Sequence, residues 1–116
     1  MADIYTTAGE AVVVDAIEAQ LSCYIGWGTG AGTAAKGDTT LFTEAAETRV
    51  AGVETQPDAS TNQWDGTITS LSAQTITNAG VFDAISTGNL IVHGDFTGIP
   101  LGIGDKIAFT VTLEQT

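Results

Sequence analysis

The chain closes on Gly104-Asp105-Lys106-Ile107-Ala108-Phe109-Thr110-Val111-Thr112-Leu113-Glu114, and this stretch decides the fold class. In an extended chain Ile107, Phe109, Val111 and Leu113 fall on one side, with Lys106, Ala108, Thr110, Thr112 and Glu114 on the other. That period of two is the mark of a strand with one buried face. Its alternation is the cleanest in the sequence, which predicts a strand central to the core, where Phe109→Ala would cost about 3–5 kcal/mol.

Working backwards, three further short strands separated by turn residues are predicted at 64–71, 75–83 and 89–97, and with 105–114 they give the signature of a sandwich or barrel. In the third of the four, Leu90, Val92 and Phe96 share a face opposed by Ile91, His93, Asp95 and Thr97. The connections are 85–89 and 98–105, and the second is apolar for a turn, so Ile99, Leu101 and Ile103 are expected to touch a partner. Hydrophobic residues make up 43% of the chain and charged ones only 15%, and the abundance of Thr, Ala and Gly favours sheets and turns over helices. The expected fold is mainly β, an antiparallel, jelly-roll-like β-sandwich with a short N-terminal helix. At 116 residues it fits one domain with one core.

The first half is read with residues 1–20 as an N-terminal arm and helix and 21–116 as a single β domain. Thr7-Ala8-Gly9-Glu10 has the spacing of a capping box, and Val13, Ile17 and Leu21, with Val14 beside them, predict an apolar stripe on a helix over 8–20. The β-branched run Val12-Val13-Val14 works against it. From Leu21 to Trp27 the pattern is extended; glycines at 26, 28, 30 and 32 then break regular structure, and a loop runs to Gly37. Asp38 reads as the cap of a helical turn or two carrying Leu41, Phe42, Ala45 and Ala46, after which 49–53 extends again and 57–62 forms an exposed loop.

Little here could perform covalent chemistry. Against 14 acidic residues there are 3 basic ones, a formal charge of −11, so phosphate backbones and anionic lipid surfaces would be repelled and neither nucleic acid nor membrane is expected as a partner. Cys23, the single cysteine, lies in an apolar run and reads as a small buried hydrophobe; it excludes an intrachain disulfide. No leader pattern and no apolar stretch of about 18 residues or more is present, and the protein is expected in soluble form. One histidine, His93, cannot build a triad or a multi-histidine metal site within a chain. The alternating glycines match neither nucleotide-binding spacing. Asp58, Asp65, Asp83, Asp95 and Asp105 sit near strand ends without a calcium-loop pattern, as turn residues do. Trp27 and Trp64 read as core or subunit contacts ahead of a sugar platform. No catalytic residue, metal or cofactor is expected.

Tyr24-Ile25-Gly26-Trp27-Gly28-Thr29-Gly30, then Gly37-Asp38-Thr39-Thr40-Leu41-Phe42-Thr43-Glu44, Glu47-Thr48-Arg49-Val50, Ile76-Thr77-Asn78-Ala79-Gly80-Val81-Phe82-Asp83-Ala84 and the final Gly104-Asp105-Lys106-Ile107 resemble small virion structural proteins of tailed bacteriophages. The resemblance covers residues 20–114 and has no catalytic residues to carry over; residues 1–19 lie outside it. It implies an oligomeric β module on the outside of a phage particle, assembled in the host cytoplasm. Capsid decoration on the outer surface of the head, with the major capsid protein as partner, is the first expectation, because the sequence shows no heptad or collagen-like stalk repeat. A tail- or head-fibre module is the second, and a carbohydrate-binding adhesin domain using Trp27 and Trp64 the third. A homo-oligomer, a trimer, is expected, with Gly26, Trp27, Gly28, Gly30, Gly32, Ile99, Leu101 and Ile103 at its interfaces, and the 1–20 arm with the glycine ribbon as the attachment to the shell.

Overall fold

Antiparallel pairing sorts the chain into two sheets. The computed structural model describes residues 6–20 and 23–114, with backbone alone at 18–20. Helix α1 (Thr7–Gln20) is followed by β1 (Tyr24–Gly28), β2 (Val50–Ala51), β3 (Val53–Asp58), β4 (Thr61–Thr69), β5 (Gln74–Phe82), β6 (Leu90–Leu101) and β7 (Lys106–Glu114). The first sheet has the order β2-β1-β5-β6 and the second β3-β4-β7. Their inner faces meet as a β-sandwich: Ile25 and Trp27 from β1 and Ile76, Ala79 and Val81 from β5 pack on Trp64 and Ile68 from β4. Both tryptophans are 1% exposed, which settles them as core.

The two sides of the sandwich differ. On one side the chain leaves the first sheet at β2, turns at Gly52 and enters the second as β3, so the backbone itself bridges the sheets. Gly52 N donates to Cys23 O at 2.9 Å, and a Cβ there would lie 3.1 Å from that of Trp64, so the corner is tight. On the other side β6 and β7 are joined by the turn at 102–105, yet β6 pairs with β5 and β7 with β4. The hairpin is splayed, and its arms are edge strands of different sheets.

The alternation of β7 is as the sequence predicts, with odd residues inward and even ones outward. Its position is not: β7 is an edge, and Ile107, Phe109, Val111 and Leu113 are only half-buried. Four other expectations are corrected. The apolar turn at 98–105 is strand as far as Leu101, because Ile99 and Leu101 pair with Ile76 and Gln74; Pro100 is tolerated on an edge that needs no N–H. The exposed loop at 57–62 shrinks to a tight turn, since Asp58 Oδ1 accepts from Ser60 N and Oγ, both at 2.9 Å, and β4 begins at a buried Thr61. No helix forms after Asp38: Phe42 N and O are taken by the Asn78 side chain, and Thr43 has φ 53, so the segment is held by the sheet beneath it. A register shift between Val81 and Phe82 places Leu90 by Gly80, away from the face that carries Val92 and Phe96.

Helix α1 forms one residue earlier in its capping than Thr7 predicts, with Thr6 Oγ1 accepting from Gly9 N at 3.0 Å. Its buried stripe is Val14, fully enclosed, with Ile17 against the core, whereas Val12 and Val13 are exposed. Leu21, expected to extend that stripe and to open the following strand, lies outside the described residues, as does the side chain of Glu18.

Candidate functional site

The glycine ribbon is built into the molecule. Gly26, Trp27 and Gly28 are buried in β1, the last two paired with Ala79 and Asn78. Beyond β1 the segment follows residues 42–45, with Thr29 N donating to Thr43 O, Gly30 N to Phe42 O and Ala45 N to Trp27 O at 2.8–3.0 Å. A Cβ at Gly28 would stand 2.5 Å from Phe42 O, and one at Gly32 2.8 Å from the Phe42 ring. The glycines therefore meet the chain's own Phe42 and Thr43, a contact that only a residue without a side chain allows. The Thr77 hydroxyl closes the arrangement by donating to Gly30 O.

Beside this segment sits a polar cluster that the sequence reading did not assemble. His93 Nδ1 is 2.8 Å from Asp38 Oδ2 and its Nε2 3.0 Å from Asn78 Oδ1, and the ring lies 4.7 Å from that of Phe42. Asn78 Nδ2 donates to Phe42 O, which fixes Asn78 Oδ1 as an acceptor, so the imidazole meets oxygen acceptors on both sides. The Ala35 N–H, followed by His93, holds the Asp38 carboxyl below its ordinary range. Both ring nitrogens of His93 and both polar atoms of the Asn78 amide have partners within the chain, and the cluster acts as a clasp that fastens the 29–38 loop to β6. Ala34 N adds a bond to Asp95 Oδ2 at 2.8 Å.

Two other charged groups are consumed in the same way. Arg49 donates to both carboxylate oxygens of Glu44 at 2.7 and 2.9 Å and to the carbonyls of Ala84 and Thr87, with its guanidinium 3.4 Å from the centre of the Phe82 ring. Glu47, 8% exposed, accepts from Trp27 Nε1, Leu71 N and Gln74 Nε2 at 2.7–3.0 Å. Burial pushes the Glu47 carboxyl up, but these hydrogen bonds together outweigh it and hold the group below the ordinary glutamate range. Burial pushes the Cys23 thiol up, the direction of an unreactive cysteine. Among the described residues no group of three His, Cys, Asp or Glu side chains could hold a metal, and no helix is long and apolar enough to cross a membrane.

An apolar surface lies open along the splayed hairpin. A cleft of about 240 Å³ between β6 and β7 is lined by Ala79, Val92, Phe96, Phe109 and Val111. The Phe109 ring packs edge-on to Trp27 at 6.1 Å and tilted to Phe96 at 6.4 Å. Ile99, 39% exposed, and the half-buried Leu101 continue the inner face of β6, while Ile103, 79% exposed, stands on the turn. Of the residues proposed for interfaces, the structure thus brings Ile99, Leu101 and Ile103 to one end and keeps Gly26, Trp27 and Gly28 inside. Phe96 and Phe109 at the cleft were not among them; the signal that points to them is two uncharged runs, 96–101 and 107–113, in a chain of formal charge −11.

A β-sandwich that uses Glu47, Arg49, Asn78 and His93 to hold its loops, and leaves an apolar strand edge open, has the build of a structural module. A family model described as Podophage GP4 fiber I protein gp80 matches residues 10–113, and the chain belongs to that family. It is a structural protein of a bacteriophage virion. No curated protein is significantly similar to it. The family is one of fibre proteins, which favours the second expectation from sequence over the first, capsid decoration.

Proposed function

We propose that this chain is a component of a fibre on the phage particle, the role that the family's description names. The observation that carries the reading is the match over residues 10–113, nearly the whole sandwich, so the resemblance is to the module and not to a short motif. An elongated body of 53 × 26 × 23 Å supports it, since such a shape suits a projecting part. The excess of acidic side chains keeps a solvent-exposed part soluble and discourages adhesion to anionic surfaces.

Quantitative protein staining of purified particles tests this. A fibre component is present in far fewer copies than the major capsid protein and is seen by particle imaging as a projection. Copies matching the major capsid protein, spread over the shell, would instead establish decoration, with the major capsid protein as its partner.

A further inference from the structure

We infer that the open side of the sandwich is a self-association surface, where a second copy of this chain covers the β6–β7 cleft edge to edge. The first ground is the contrast between the edges of the two sheets. Where the backbone bridges the sheets, the edge strands are blunted: β2 has two residues, and β3 carries an irregularity between Thr55 and Asp58 with Pro57 inside it. Both features discourage pairing with another chain. Across the molecule β6 runs for 12 residues and β7 for 9, and their backbone donors and acceptors on the cleft side have no strand beside them. No lysine points into the cleft, and Pro100 stands at the far end of β6.

The second ground is unfinished burial. Trp64, Ile68, Ile76 and Val81 on the central strands are 0–2% exposed, whereas Phe96 and Ile99 on the inner face of β6 are 36% and 39% exposed. The inward side chains of β7 are half-buried. A core of this quality ends in an open apolar mouth only where something else completes it.

Charge identifies the occupant. From Phe96 to Leu101 and from Ile107 to Leu113 no residue is charged, although the chain carries −11 overall. A cationic partner finds no counter-charge here, while two copies, which repel each other over the rest of their surface, can meet along this neutral stretch. Strand edges of the same neutral, apolar kind satisfy each other's backbone groups and cover each other's phenylalanines. The inference does not depend on which part of the virion the chain occupies.

Sedimentation and hydrogen exchange on the full chain, across a range of concentrations, test it. The expected result is association at high concentration, with slowed exchange at the β6 and β7 amides and none at β3. Phe96→Asp and Ile99→Asp should each weaken association by about tenfold or more, and Val53→Asp, on the exposed face of β3, should leave it unchanged. A monomer at every concentration overturns the inference, as does association that both cleft variants leave intact. If Phe96→Asp does not fold, Ile99→Asp and the exchange pattern of the unaltered chain decide: protection that appears elsewhere than β6 and β7 overturns it.

Discussion

One side of this sandwich is sewn shut by its own backbone and the other is left ajar. At the closed side a single glycine, Gly52, passes the chain from sheet to sheet against Trp64, and the edges beside it are short or bulged. At the open side two long strands joined by a turn part company, each loyal to its own sheet. The difference teaches that strand quality and strand position are separate properties. β7 has the most regular alternation in the chain yet stands at an edge, while β1, interrupted by glycines at 26 and 28, is an inner strand of the first sheet.

The comparison breaks if the two sides prove energetically equal. Trp27→Ala should give the largest effect, a loss of about 3–5 kcal/mol in urea unfolding, because it empties the centre and also strips a donor from the buried Glu47 carboxylate. If this variant unfolds at the same midpoint as Phe109→Ala, the centre and the edge are not distinct. Acid should come next. The Glu47 carboxyl is held low in the folded state, so its stabilisation is fully present above its ordinary value near 4.5 and is lost as pH falls through the lower folded value. The urea midpoint should therefore drop below about pH 4.5, and Glu47→Gln should flatten that drop; an unchanged acid limb in the variant would assign acid sensitivity to other carboxylates.

Phe109→Ala should cost about 2 kcal/mol, less than a core site, because half-burial leaves less surface to return to water. A cost equal to that of Trp27→Ala in the monomer would mean that the cleft closes in solution. The smallest effect belongs to Ile103→Ser on the exposed turn, within about 0.5 kcal/mol of the parent by thermal unfolding. A larger loss there would sharpen the comparison by showing that the open side continues around the turn.

The sheets were legible because Ile107, Phe109, Val111 and Leu113, and the apolar residues of 75–83, announce themselves by local period. What was not legible came from distant hydrogen bonds. Nothing near Asp38 in sequence says that its carboxylate will meet His93, or that Phe42 will surrender its backbone groups to Asn78, so a helix cap was the sensible local reading and tertiary contact overrode it. The apolar Ile99 and Leu101 were singled out correctly as unusual for a turn, but the pairing with β5 that makes them strand lies more than twenty residues away. The glycine ribbon was visible as a pattern, and its partner, Phe42, was not.

The enclosure of Arg49 also governs how the protein meets a digestive enzyme. Trypsin cuts after lysine and arginine, and this chain has only Lys36, Arg49 and Lys106. Arg49 is 7% exposed and engaged on every side, and Lys106 opens β7 opposite Thr69, so two of the three bonds are presented in held backbone. Cleavage is left to the loop at Lys36, where the β1–β5 ladder and the bond from Ala34 N to Asp95 Oδ2 span the nick and keep the two fragments in one body. The scarcity of basic side chains that makes the module acidic thereby makes it durable outside the cell.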